Sequence, residues 1–131
     1  MSGITGNLDN TKETVDTSND SIVVIQNLET IPGGKTLDVA AVAADVNVIK
    51  AGHIIIEETS SGNLKPMPVS GADYAALPAS HTYKGVLVSS ILKTKPFAAI
   101  LVRGTVNKVA SPYAVPAGAI TALPLIRFTK D

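Results

Sequence analysis

Several side chains in this sequence have the right type for chemistry, and their spacing speaks against each of them. His53 and His81 are the two histidines, 28 residues apart and on different predicted elements. Two imidazoles without a carboxylate pattern converging on them make a poor metal set. His53 is therefore read at the entry of a strand and His81 in the loop before Tyr83. Glu57 and Glu58 are adjacent, so on a strand they point to opposite faces and cannot work as a paired acid and base. Ser60-Ser61 and Ser89-Ser90 offer hydroxyls, but nothing around them supplies a strained nucleophile turn or a base. Gly34-Lys35-Thr36 looks like the end of a phosphate-cradling loop. The first glycine of that pattern would fall at Glu29, where a carboxylate repels phosphate. Asn19-Asp20-Ser21 matches a glycosylation acceptor, a pattern that arises often by chance and here lacks an export signal to give it meaning. No G-x-G-x-x-G, G-x-S-x-G or H-E-x-x-H occurs. No catalytic, cofactor-binding or metal-ligating residue is expected, and the chain reads as a non-enzyme.

The elements that would have to hold such residues are strands. From Ser21 onward β-branched runs are punctuated by Gly, Pro, Asn and Ser, which predicts strands and turns. Ser21–Leu28 reads as a first strand and Lys35–Val42 as a second, weaker one. Ala40–Val48 fits a strand or a helical turn equally. His53–Glu58 is a strong strand, and Ser60-Ser61-Gly62-Asn63 is a hairpin turn. Leu64–Val69 returns extended, but Pro66 and Pro68 each lack a ladder donor and place it on a sheet edge. Residues 70–82 form a loop with at most one short helix around Asp73–Leu77. Tyr83–Leu92 and Phe97–Val109, joined by Lys93–Pro96, are predicted to pair as the central hairpin. Ala119–Leu123 reads as a helical turn and Leu125–Thr129 as the last strand. Alternation places Phe97, Ala99, Leu101 and Arg103 on one face and Ala98, Ile100, Val102 and Gly104 on the other. Arg103, at the end of an apolar face, is a candidate interface-rim residue. The expected fold is mostly β, a small partly open barrel or sandwich with long loops and one or two short helices.

Composition narrows the function classes. The 131 residues suffice for one packed domain. Eleven Lys+Arg balance eleven Asp+Glu, so no overall basic field draws the chain to nucleic acid or an acidic membrane. No cysteine is present, which removes thiolate nucleophiles, Cys-ligated zinc and disulfides. The aromatics are Tyr74, Tyr83, Phe97, Tyr113 and Phe128, too few for a sugar- or base-stacking platform. No signal peptide or run of about 18 apolar residues is visible, so a soluble protein without classical export is expected.

The zero net charge is a sum of unlike parts. Residues 1–20 hold Asp9, Glu13, Asp16 and Asp20 against Lys12, a net −3, which leaves +3 on residues 21–131. Residues 1–20 lack the apolar content to offset their own ordering entropy and read as a flexible arm, followed by one β-rich domain over 21–131. Ile4, Leu8 and Val15 are spaced apolar anchors in that arm, candidates for ordering on a partner.

Four segments, in order, carry a resemblance: Lys50-Ala51-Gly52-His53-Ile54-Ile55, Asn63-Leu64-Lys65-Pro66-Met67-Pro68-Val69, Gly85-Val86-Leu87-Val88, and Val102-Arg103-Gly104-Thr105-Val106-Asn107. Together they resemble the head decoration proteins of tailed bacteriophages, the lambda-type decoration family, over about residues 35–128. The resemblance implies a β-tulip fold and a structural virion protein made in the host bacterial cytoplasm. It further implies trimers on the outer surface of the phage head that cement the shell against packaged DNA. The implied partner is the major capsid protein, on which the N-terminal arms order; no cofactor, direct nucleic-acid contact or membrane is implied. Two other classes fit the texture of the sequence: a head-fibre or host-glycan adhesion module, and a small β-clip-type enzyme domain. A buried histidine with a nearby carboxylate in a pocket would favour the enzyme, and an exposed apolar patch near a threefold axis would count the other way.

Overall fold

The structure, a computed structural model, describes residues 20–130. It is mostly β, and its sheets do not close. A helical turn, α1 (Asp20–Val23), leads into β1 (Val24–Thr30), β2 (Lys35–Thr36), β3 (Val48–Ile49), β4 (Ile54–Glu58), β5 (Leu64–Pro66), β6 (Val69–Ser70) and β7 (Asp73–Tyr74). Then come β8 (His81–Leu87), β9 (Ile91–Leu92), β10 (Phe97–Ala98), β11 (Ile100–Asn107), helix α2 (Ala117–Ala122) and β12 (Ile126–Thr129). The main sheet runs β1-β11-β8-β4-β5, with β12 added parallel to the second half of β11. Three two-stranded ribbons, β10-β2, β3-β9 and β6-β7, lie outside it.

Burial follows from the two-residue period of the strands. Ile55, Leu87 and Ile100 join Leu37, Ile49, Leu64 and Ala98 in one apolar cluster. Their chain neighbours face the other way: Val86 and Leu101 pack with Val23, Val106 and Ile126, and Ile54 and Ile56 pack with Met67 and Ala119. Consecutive residues on β4, β8 and β11 are thus buried on opposite faces, and the centre of the sheet is covered on both sides. Ala98 and Ile100 share a cluster while Leu101 lies in another, as the alternation predicts.

Several expected elements hold and several do not. The strand entered at His53, the hairpin through Ser60–Asn63 and the edge position of Leu64–Pro66 are all present. The first strand is displaced: residues 20–23 coil into α1 and β1 starts at Val24, because Asp20 is tied to Ser90 and Val23 is drawn into the core. The second strand shrinks to Lys35–Thr36. Beyond it the Leu37 amide donates to the Pro96 carbonyl, and residues 39–46 fold into successive turns (Val42 N to Val39 O, Val46 N to Ala43 O, both 3.0 Å). Small residues there supply too little apolar area to hold a long strand. No helix forms at Asp73–Leu77, because a tight turn with Gly71 at φ 65° pairs β6 with β7 instead. The central hairpin is also looser than expected. β8 and β11 pair only at Val86↔Leu101 and Ile100↔Leu87, and the chain between them leaves the sheet so that β9 joins β3 and β10 joins β2. The helical turn near residue 119 is α2, and the last strand is β12.

Candidate functional site

Several of the residues with chemical potential are held by neighbouring groups, and His53 and His81 both line one groove. On β4, Glu58 accepts from Lys65 Nζ at 2.8 Å and from Ser60 Oγ at 3.0 Å. The bond from Lys65, with that from Ser60 after it, holds the Glu58 carboxyl below its usual range, and the same Glu58 bond raises the Lys65 ammonium. Glu57 lies 3.7 Å from Lys84 on β8, so the two adjacent carboxylates serve different neighbours. His81 is bonded through Nδ1 to the Ala79 carbonyl at 2.8 Å. Among the described residues no three His, Asp or Glu side chains come together as a metal set. Gly34 sits in a turn at φ 71° between β1 and β2, with its Cα face against Phe97 and Ala98.

His53 is the exception in burial. It is 7 % exposed, and its ring stands edge-on to Tyr74 and Tyr113, with centroids 5.2 and 5.7 Å away. Its Nε2 lies 2.8 Å from the Met67 carbonyl. A carbonyl can only accept, so Nε2 carries the proton and Nδ1 is the bare acceptor. Burial lowers the imidazole pKa to about 4, with the Met67 bond pulling weakly the other way. Tyr74 is held above its usual range by burial, and its hydroxyl accepts from the Ile54 amide at 2.9 Å. Among the described residues the hydrogen-bond partner of the imidazole is main chain and not a carboxylate.

The other feature is a surface. β1 is the terminal strand of the main sheet and pairs, among the described residues, with β11 alone. Its central residues, Ile25 to Glu29, are all exposed, and Ile22, Ile25 and Leu28 stand 49 %, 49 % and 55 % open. An open strand edge with exposed aliphatic side chains is a template for another chain. Arg103 lies on β11, exposed and in register with Glu29 of β1, an opposite-charge pair of positions across the strands. Gly104 makes the pairing possible: a Cβ there would run into the Gln26 carbonyl.

The root of this surface is fastened to the body. The Asp20 carboxylate accepts from the Ser90 amide at 2.8 Å and from its hydroxyl at 2.7 Å. The same hydroxyl accepts from the Ala51 amide at 3.0 Å. Gly52, at φ 89°, leaves room for Val23, whose Cγ1 a Cβ at position 52 would meet. Asp20 therefore belongs with the body, one residue earlier than the boundary read from composition. Ser90, considered above as a hydroxyl nucleophile, is a clamp. Local sequence does not reveal that role, because the bond joins residues 70 positions apart. Ile4, Leu8 and Val15 lie outside the described residues.

No helix among the described residues is long and apolar enough to cross a membrane. A scan against protein-family models, a search of curated proteins and a search of solved structures each found no match to this chain.

Proposed function

We propose that this chain is a non-enzymatic structural protein of a phage virion, which binds the outer surface of the head as trimers and cements the shell against internal DNA pressure. The observation that carries the reading is the exposed aliphatic edge of β1, which continues directly from the segment holding Ile4, Leu8 and Val15. A fixed root at Asp20 and an open strand beside it suit a protein whose product is an interface. Ordering an extended arm costs entropy, so one arm binds modestly. Three arms on one trimer bind with avidity, because the second and third contacts form at high effective concentration. The acidic balance of residues 1–20 against the +3 of the remainder adds a charge contribution, which salt weakens. The order and spacing of the four resembling segments support the same reading.

Cryo-electron microscopy of undecorated phage heads mixed with the purified protein tests it. Added density at the threefold positions of the outer surface is the expected result. Bare heads at saturating protein, or random attachment, would reject it.

A further inference from the structure

Beside β3 and β5 lies an open groove of about 1060 Å³, lined by the turns of residues 41–46, by β3, by residues 66–69 and by residues 110–113. Its volume is just above the usual range of small-molecule sites, about 300–1,000 Å³. The lining is mixed in character. Val46 and Val69 stand exposed on it, and Asp38, Asp45, Lys50 and Lys65 set both signs of charge among the aliphatic side chains. A small apolar molecule or a single ion would match only part of such a surface. A stretch of polypeptide that carries both aliphatic and charged side chains matches the whole of it.

A stretch of that kind is tethered to the groove. Asp20 is the first described residue and one of the lining residues, and its two bonds to Ser90 fix it in place. The 19 residues before it carry Ile4, Leu8 and Val15 among Asp9, Lys12, Glu13 and Asp16. Val15 is five positions from Asp20 and therefore within about 18 Å of it even at full extension. A short tether gives an effective concentration of about millimolar, so contacts too weak to hold a free peptide suffice. The same segment of a second copy lacks that advantage.

We propose that this groove is the docking site of the chain's own residues 4–15, which lie in it until a partner takes them. Leu8 and Val15 cover the exposed valines, which removes apolar surface from water on both sides of the contact. The charges between them meet the mixed charges of the lining at the solvent side, where they set the alignment more than the strength of the contact. The proposal concerns the free protein and does not rest on the virion role.

The test uses the full chain and the absence of cysteine from it. Thr11→Cys supplies a single thiol for a nitroxide, and methyl NMR spectra report which side chains the label approaches. The signals of Val46, Ile49 and Met67 are expected to vanish beside the nitroxide and to return when it is reduced. With Leu8→Ser and Val15→Ser added, they are expected to persist throughout. All three positions precede the described body, whose amide spectrum checks its folding in each variant. Groove signals that persist beside the nitroxide in the Thr11→Cys chain, or that vanish equally with and without the two serine substitutions, overturn the proposal. Loss of the Ile25 and Leu28 signals with the groove signals intact also overturns it, because the segment would then lie on the β1 edge. A last sample mixes nitroxide-bearing chains without isotope and isotope-labelled chains without nitroxide. Undiminished groove signals are expected there; their loss would mean that a second copy's segment fills the groove, which contradicts the proposal.

Discussion

β4 and β1 are written in nearly the same alphabet and meet opposite fates. Ile54-Ile55-Ile56 and Val24-Ile25 are both β-branched runs that open a strand. β4 sits between β8 and β5 and loses all three isoleucines to the core on two faces. β1 has one neighbour and leaves Ile25 and Leu28 in solvent. Strand propensity is the same in both; position in the sheet order decides whether the apolar surface goes into stability or remains for a partner.

The contrast predicts a graded set of effects, the largest at β4. Ile55→Ala removes a fully buried side chain from a centre covered on both faces, and it should cost about 2–5 kcal/mol in urea unfolding. A cost as small as that of a surface change would mean that β4 is not sealed. His53, at the entry to β4, should make the same region acid-sensitive. Its folded pKa of about 4 lies below the unfolded value of about 6.5, so between them the unfolded chain holds the additional proton. Its contribution is complete above about pH 6.5 and is lost as pH falls toward 4, by on the order of 3 kcal/mol. Unfolding curves across that window should show the loss, and His53→Phe should flatten this component.

A smaller effect is expected where the two regions are joined. Ser90→Ala removes the hydroxyl that bonds Asp20 and the Ala51 amide, and it should cost about 1–3 kcal/mol. Hydrogen exchange should then rise first in α1 and the start of β1, with β4 protected as before. At β1 itself, Ile25→Ser and Leu28→Ser should each change stability by less than about 0.5 kcal/mol. A large loss at either position would mean that the edge is part of the core.

Legibility in the sequence followed the range of the interactions. The β4 strand, the turn at Ser60–Asn63 and the edge position forced by Pro66 were readable because each rests on neighbours within a few residues. The helical turn at residues 20–23 was not, since it depends on Ser90, and neither was the turn cluster at residues 39–46, whose Val42 and Ala43 carbonyls accept from the distant Lys93 side chain. The sheet assignment of β9 and β10 failed for a related reason. Apolar periodicity marks a strand but does not name the partner it pairs with. At the candidate sites, Arg103 was visible as a charge ending an apolar face. The exposure of Ile25 and Leu28 was not, because an apolar run reads as core until the sheet order is known. The buried state of His53 was hidden for the same reason: Met67, Tyr74 and Tyr113 reach it from other segments.

The central claim is that the β1 edge and the segment leading into it form the docking surface. Cosedimentation with undecorated heads tests this most directly, comparing the wild type, the Ile25→Ser/Leu28→Ser double variant and a chain lacking residues 1–19, which keeps Asp20 on Ser90. The wild type should pellet with heads to saturation, while both altered chains stay in the supernatant with folded amide spectra. Full coating of the heads by either altered chain would contradict the account.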